Sequence, residues 1–231
     1  MKRSWLVVGA FVAWSGASAF GAGSSGAQAP ASSRPAQTAP AQETQGLPPG
    51  LHATPPGLGS YPYSDADIEF MSGMIPHHAQ AVIMAGWAPT HGARKDVSIL
   101  CERIVVAQRD EIHLMQNWLR DRGLPVPDAT STRHMMKMNG KMQAMLMPGM
   151  LTDKEMAALD QARGPEFDRL FLVGMIKHHQ GAINMVDKLF NSYGAAQDET
   201  VFKFANDVYA DQSIEIDRMR QMLQESGGGA P

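Results

Sequence analysis

An internal duplication constrains the fold of this chain more than any other feature of its sequence. Residues 70–78 and 171–179 share the pattern Phe-x-x-Gly-Met-Ile-x-His-His. Further along each copy, residues 108–115 and 212–219 share the pattern Gln-x-x-Glu-Ile-x-x-Met. Because the same two patterns recur in the same order, we infer that one structural unit occurs twice.

Each unit is predicted to be a helical hairpin. Apolar residues recur at intervals of three and four positions in both copies, as they do on one face of an α-helix. Two hairpins that each carry one apolar stripe bury those stripes best against each other. We therefore expect an all-α four-helix bundle over residues 61–226, with repeat 1 at about 64–122, a crossover at 123–163 and repeat 2 at about 164–225.

Local signals predict where the helices begin and end. Ser64 followed by Asp67, and Thr152 followed by Glu155, have the spacing of a capping box at a helix N-terminus. Glycine and proline residues favour helix ends after each long apolar pattern. The sequence thus predicts long helices at about residues 64–87, 96–122, 165–192 and 198–225, and a short helix at about 153–162.

The first 19 residues have the pattern of a secretory signal peptide. Lys2 and Arg3 precede an apolar run at residues 5–14, and the small residues 17–19 follow it. This run is shorter than the roughly 20 apolar residues that a membrane span needs, so it is expected to be cleaved rather than to act as an anchor. No span is expected after cleavage. Residues 20–60 are rich in Ala, Gly, Pro, Ser and Gln, which predicts a disordered tether. The protein is therefore expected to be periplasmic or secreted.

Composition narrows the classes of partner. The formal net charge is −3 at pH 7, so the chain lacks the basic footprint of a nucleic-acid-binding protein.

The single cysteine, Cys101, aligns with Ala205 of the other repeat and is expected to be a small buried residue. His91 and His113 have no counterpart in the other repeat and are expected on the surface. The unusual counts are 17 methionines and 8 histidines.

Candidate metal ligands share the helical faces that the repeats define. Steps of three and four residues return to the same side of a helix, so each hairpin directs imidazole, thioether and carboxylate groups toward one interior. Buried histidine and glutamate are costly unless they are paired or bound to a cation. The candidate ligands or their supporting groups are Asp67, Met74, His77, His78, Glu111 and Met115 in repeat 1, and Asp168, Met175, His178, His179, Glu215 and Met219 in repeat 2.

The donor types favour copper. Neutral imidazole suits copper, zinc, iron and nickel, whereas the thioether of methionine selects Cu(I). A mixed set therefore predicts copper, with Cu(I) favoured over zinc or iron. Other interpretations stay open at this point, because a methionine stripe is ordinarily core and the glutamates could serve only to orient the histidines. The sequence also leaves open whether the two hairpins form one shared site or two.

The crossover is unusually rich in methionine. One interpretation is a flexible, exposed thioether segment that captures Cu(I) or hands it on. The alternative is an amphipathic helix packed on the bundle. The segment begins at His134 and contains Met135, Met136, Met138, Met142, Met145, Met147 and Met150.

These motifs resemble the family catalogued as domain of unknown function 305. The resemblance is carried by residues 74–81 and 175–182, by the two Gln-x-x-Glu-x-x-x-Met patterns, and by Met-Pro-Gly-Met-Leu-Thr at 147–152. It covers about residues 64–224. It implies a ferritin-like four-helix bundle, usually exported, and relatives of the CopM type are periplasmic copper-binding proteins linked to copper resistance. The chain lacks the Glu-x-x-His pattern of di-iron bundles, which disfavours iron oxidation.

Three functional hypotheses follow. The first is an exported protein that sequesters or delivers copper, possesses no catalytic turnover and exchanges metal with another copper-handling protein. The second is a ferritin-like metal-dependent oxidoreductase, which would need a redox-active metal with an open coordination position. The third is a structural or partner-binding helical bundle in which the repeated histidines and glutamates only pair with each other.

Overall fold

The computed structural model describes residues 46–138 and 140–227. The predicted signal peptide and residues 20–45 of the predicted tether lie outside the described residues. The elements, in chain order, are β1 Leu51–His52, β2 Tyr63–Ser64, α1 Asp65–Gly86, α2 Ala88–His91, α3 Lys95–Asp121, β3 His134–Met138, β4 Lys141–Met145, α4 Asp153–Gln161, α5 Pro165–Phe190 and α6 Glu199–Glu225.

Residues 50–52, which lie in the predicted tether, are attached to the start of the bundle. Strand β1 pairs antiparallel with β2, with Leu51 opposite Ser64. The Asp65 backbone N–H donates to the Gly50 carbonyl at 2.9 Å, and the His52 ring hydrogen-bonds the Asp65 carboxylate at 2.7 Å. His52 therefore helps to attach the segment before α1 to the first turn of that helix.

The helix ends agree with the local sequence signals. Ser64 and Asp67 form a complete capping box at the start of α1, and Thr152 and Glu155 form another at the start of α4. Asp198 accepts hydrogen bonds from two backbone N–H groups of the first turn of α6. These side chains satisfy backbone donors that have no partner inside the helix.

The four long helices share two buried apolar clusters, so the predicted mainly helical fold is confirmed. Cluster A combines the first half of α1 and the end of α3 with the end of α5 and the start of α6, and includes Met74, Met115 and Phe204. Cluster B combines the complementary halves and includes Met175 and Met219. This packing supports the predicted four-helix bundle. On α3, α5 and α6 the polar repeat residues lie between the stretches that contribute to A and B, and on α1 the histidines lie near the end of the A stretch.

The described start of the methionine-rich crossover is a β-hairpin and not the amphipathic helix of the second interpretation. Met135 and Met142 on it are exposed, as the first interpretation expected. Strands β3 and β4 form an antiparallel hairpin, with His134 opposite Met145. His134 is buried, whereas Met135 and Lys137 are exposed, and this alternation is the period-two pattern of a strand. A strand of five residues is too short for that pattern to be distinguished from the helical one in sequence.

Candidate metal centre

Two histidines, one from each repeat, stack at the middle of the bundle. The ring centroids of His77 on α1 and His178 on α5 are 3.8 Å apart, and the ring planes are inclined by 39°. His78 and His179 follow them on the same helices, and each of these rings lies 6.2 Å from the preceding ring. All four side chains are fully buried, so the duplicated motifs build one polar layer between clusters A and B.

Backbone carbonyls fix the tautomers of the two stacked histidines. The Nε2 of His77 lies 3.0 Å from the carbonyl oxygen of Pro148, and the Nε2 of His178 lies 3.0 Å from the carbonyl oxygen of His77. A carbonyl oxygen can only accept, so Nε2 carries the hydrogen in both rings. In a neutral imidazole, Nδ1 then bears the lone pair.

Carboxylates orient the other two histidines. The Nε2 of His78 donates to the Glu111 carboxylate at 2.7 Å, and the Nε2 of His179 donates to the Glu215 carboxylate at 2.7 Å. The two pairs are equivalent positions of the repeats. A carboxylate that accepts from one ring nitrogen directs the lone pair of the other nitrogen, as it does for histidines that bind metals.

The Nδ1 atoms of all four rings are buried without a hydrogen-bond partner among the described residues. A buried acceptor without a donor costs about 1–3 kcal/mol. Burial, and then the neighbouring His78, lowers the pKa of His77 well below its usual value; burial, and then His77, does the same for His178. These two rings are therefore neutral at pH 7, which is the form that binds metal ions.

The predicted methionines belong to the two apolar clusters between which the histidine layer lies. Met74 and Met175 lie one turn before the histidine pairs, and Met115 and Met219 lie one turn after the glutamates. All four are fully buried, with Met74 and Met115 in cluster A and the other two in cluster B. The four methionines are thus part of the apolar packing on either side of the histidine layer.

The structure does not bring Asp67 and Asp168 to the histidines. Asp67 precedes His77 by ten residues on α1, which corresponds to about 15 Å along the helix. Its carboxylate accepts from the Ser64 and Ala196 backbone N–H groups at 2.7 Å each. The Asp168 carboxylate accepts from the Arg94 backbone N–H at 3.3 Å. Both aspartates therefore join the starts of α1 and α5 to neighbouring loops.

Residues 147–152 contribute to the centre in a way that the sequence analysis missed. Gly149 has φ of +77°, and a Cβ at Gly181 on α5 would lie only 2.0 Å from the Pro148 carbonyl oxygen. Two glycines thus let this loop contact α5 closely enough for Pro148 to reach His77. The Gln80 amide holds the loop as well, because it donates to and accepts from the Leu151 backbone. The Met-Pro-Gly-Met-Leu-Thr motif was the signal available in sequence.

Three other expectations have clear outcomes. Cys101 is buried, as predicted, and burial raises the pKa of its thiol to about 12. His113 is exposed, as predicted. The expectation for His91 is wrong: its ring is buried, stacks on Trp87 and hydrogen-bonds the Asp160 carbonyl at 2.8 Å.

Across residues 46–138 and 140–227, no group of three or more His, Cys, Asp or Glu side chains forms a preassembled metal cluster.

Fold and centre together define a mainly helical protein in which two repeated motifs form one layer of buried imidazoles with unpartnered Nδ1 atoms. The sequence of residues 67–223 matches the family model described as Domain of unknown function (DUF305). The chain belongs to this family, as its motifs indicated.

Solved structures and a curated relative extend the comparison. A DUF305 protein from Streptomyces coelicolor, considered to be secreted, is 28% identical with a TM-score of 0.61, over 72% of this chain and 96% of that chain. CopM in its Cu(I)-bound form is 29% identical with a TM-score of 0.53, over 69% and 96%; CopM is also known in Cu(II)-bound and Ag-bound forms. Uncharacterized protein L153 of Acanthamoeba polyphaga mimivirus is 33% identical over 58 residues, 25% of this chain and 38% of that protein.

Proposed function

We propose that this protein is an exported copper-binding protein that sequesters copper or delivers it to another copper-handling protein, without catalytic turnover. The observation that carries the proposal is that the Nδ1 atoms of the four histidines are buried without a hydrogen-bond partner. The Nε2 atom of each ring donates to a fixed acceptor, so the lone pair of each ring is on Nδ1. Because neutral imidazole nitrogens without donors are poised to accept a cation, the layer suits a metal ion better than it suits an apolar core.

The surrounding sulfur atoms support copper as the metal. The buried methionines that flank the layer are soft ligands, and a soft thioether with imidazole selects Cu(I) among the common metal ions. The similarity to CopM, which binds Cu(I), Cu(II) and Ag, points the same way. In this proposal the rings of His77, His78, His178 and His179 bind the metal with help from Met74, Met115, Met175 and Met219, while Glu111 and Glu215 orient the rings.

The methionine-rich hairpin is proposed as the route by which Cu(I) reaches the centre. A cavity of about 430 Å³ lies between the hairpin, α1 and α5, and its lining includes Met136, Met145, Met147 and Met185. Met135 and Met142 on the hairpin are 52% and 59% exposed. Exposed thioethers next to a methionine-lined cavity offer successive soft sites. Pro148 also lines this cavity, and its carbonyl oxygen accepts from His77.

Export is the cellular setting that the proposal requires. The first 19 residues have the pattern of a signal peptide, and the Streptomyces relative is considered to be secreted. In the part of the chain that the structure describes, no helix is both long enough and apolar enough to cross a bilayer.

Copper titration of the full chain tests the proposal. Under anaerobic, reducing conditions, the protein competes with a chromogenic Cu(I) chelator, and stoichiometry and affinity are measured. The double variant His77→Ala/His178→Ala should lose at least one bound Cu(I) per chain. The matched control is His113→Ala, which removes an exposed imidazole from α3 and should leave the titration unchanged. Equal titrations for the wild type and the double variant would refute the assignment, provided that circular dichroism shows both to be folded.

A further inference from the structure

Positive charge is concentrated in the crossover, although the chain as a whole is acidic. Residues 129–152 contain no Asp or Glu, and they carry Arg133, Lys137 and Lys141. All 23 acidic residues of the chain therefore lie elsewhere. Arg133 is paired with Asp153, so the charge that is available to a partner is mainly that of the two lysines, both of which are exposed.

One face of the hairpin formed by β3 and β4 is exposed and combines thioether groups with an ammonium group. Met135 lies opposite Ala144, and Lys137 lies opposite Met142. Alternate residues of a strand point to the same side, so these four side chains share one face, and all four are exposed. Diagonal neighbours across an antiparallel pair are roughly 7–8 Å apart, which places Met135 near Met142 with Lys137 beside them.

We propose that this face docks an acidic copper-handling protein, one that presents carboxylates beside its own Cu(I) site. The inference rests on the proposed function, because it names the chemistry of the partner that gives Cu(I) to this protein or takes it away. The lysines attract the carboxylates, whereas the acidic remainder of the chain repels them, so charge both accelerates the encounter and orients it. The exposed thioethers then lie at the contact, where Cu(I) can pass between soft ligands.

The hairpin suits a transient protein contact better than a membrane surface. Segments that bind anionic lipid carry about 4–8 clustered basic residues, and the usual anchors at a membrane interface are Trp and Tyr. Residues 129–152 have only the three basic residues and contain no Trp, Tyr or Phe. Two strands of 5 residues each are also too small to supply the roughly 800 Å² per partner of a stable interface, which fits a complex that dissociates after transfer.

Binding of the metal-free full chain to a charged peptide tests the docking step without copper. The probe is a fluorescent, glutamate-rich peptide that carries a methionine pair, and its counterpart has glutamine in place of every glutamate. At an ionic strength of about 0.1 M, where the Debye length is about 10 Å, fluorescence anisotropy should give a Kd for the glutamate peptide at least about threefold lower than for the glutamine peptide. The difference should vanish at about 1 M, where the Debye length falls to about 3 Å.

The double variant Lys137→Gln/Lys141→Gln should bind the glutamate peptide at least about threefold more weakly and the glutamine peptide as before. The matched control, Arg109→Gln/Lys203→Gln, removes the same formal charge at exposed positions of α3 and α6 and should change the Kd by less than about twofold. Equal binding of both peptides by the wild type, or equal weakening by the two double variants, would overturn the proposal. Binding to phosphatidylserine vesicles without any binding of the glutamate peptide would overturn it too, in favour of a lipid surface.

A transfer measurement connects docking with the thioethers. Met135→Leu/Met142→Leu keeps the apolar bulk and the charge of the face, so this variant should bind the glutamate peptide like the wild type. Its Cu(I), once loaded, should pass to the peptide several times more slowly, and transfer at the wild-type rate would overturn the role of the thioethers. Because the anisotropy measurement uses metal-free protein, a chain that binds Cu(I) without charge-dependent peptide binding contradicts only this inference, whereas a chain that binds no Cu(I) contradicts the proposed function.

Discussion

At the scale of single residues, the two ring nitrogens of each of the four histidines have different environments. Nε2 donates to a fixed acceptor, a backbone carbonyl in His77 and His178 and a carboxylate in the other two rings. Nδ1 is left without a partner among the described residues, and it is the atom that would bind the proposed metal ion. Because the acceptor determines which nitrogen carries the hydrogen, the affinity of the proposed copper centre should depend on residues that never touch the metal.

Glu111→Gln tests this dependence. An amide is a weaker acceptor than a carboxylate and can also present its NH₂ group to His78, which would favour the wrong tautomer. We expect the Cu(I) affinity to fall by about 10–100-fold, with little change in the far-ultraviolet circular dichroism spectrum. Glu102→Gln, at an exposed position of the same helix, is the control and should bind like the wild type. An unchanged affinity in Glu111→Gln would show that the glutamate does not orient a ligand.

At the scale of elements, the loop at residues 147–152 connects the hairpin to the histidine layer. Its Pro148 carbonyl meets α5 where Gly181 offers no side chain. The contact is between backbone atoms, so neither side can move away as the end of a flexible side chain would.

Gly181→Ala should therefore destabilise the protein and displace the loop. The new Cβ would lie 2.0 Å from the Pro148 oxygen, and relieving such a clash costs about 1–3 kcal/mol. The free energy of unfolding, from urea denaturation, measures the effect, and Cu(I) affinity should fall because His77 loses its acceptor. Gly86→Ala is the control, because its Cβ would meet nothing within 4 Å; it should be neutral or stabilising by up to about 1 kcal/mol. A Gly181→Ala protein as stable as wild type would contradict this account of the loop.

Elements with strong local signals were predictable from the sequence, and elements that depend on distant contacts were not. The capping boxes at Ser64 and Thr152 involve residues three positions apart, so the helix starts could be predicted. The duplication predicted that both histidine pairs point into the bundle, whereas it left open whether they meet in one layer. The burial of His91 depends on Trp87 and on a carbonyl of α4, 69 residues away, and nothing in the local sequence indicates it. The separation of Asp67 from the histidines was missed because residues on one face of a helix can still lie several turns apart.

For the whole molecule, the buried histidine layer should make stability depend on pH. His77 and His178 have lowered pKa values in the folded protein. Burial also lowers the pKa of His134. Above the unfolded value of about 6.5, neither state binds a proton at these rings. Below it, the unfolded state takes up protons that the folded state resists, so acidification favours unfolding.

Between pH 6.5 and 5.5 the metal-free protein should therefore lose stability with a slope that approaches about 2.7 kcal/mol per pH unit, from about 1.36 for each of the two stacked rings. Urea denaturation at pH 7.5, 6.5, 6.0 and 5.5 measures the slope. The variant His77→Asn/His178→Asn has no titrating group at these positions and should show a much shallower slope, whatever its absolute stability. Because a bound cation competes with protons for the same Nδ1 lone pairs, saturating Cu(I) should shift the loss of wild-type stability to lower pH. Equal slopes for wild type and variant would mean that the stacked rings do not control how the free energy of unfolding changes with pH. The two rings would then not have lowered pKa values, and their neutrality would no longer support metal binding.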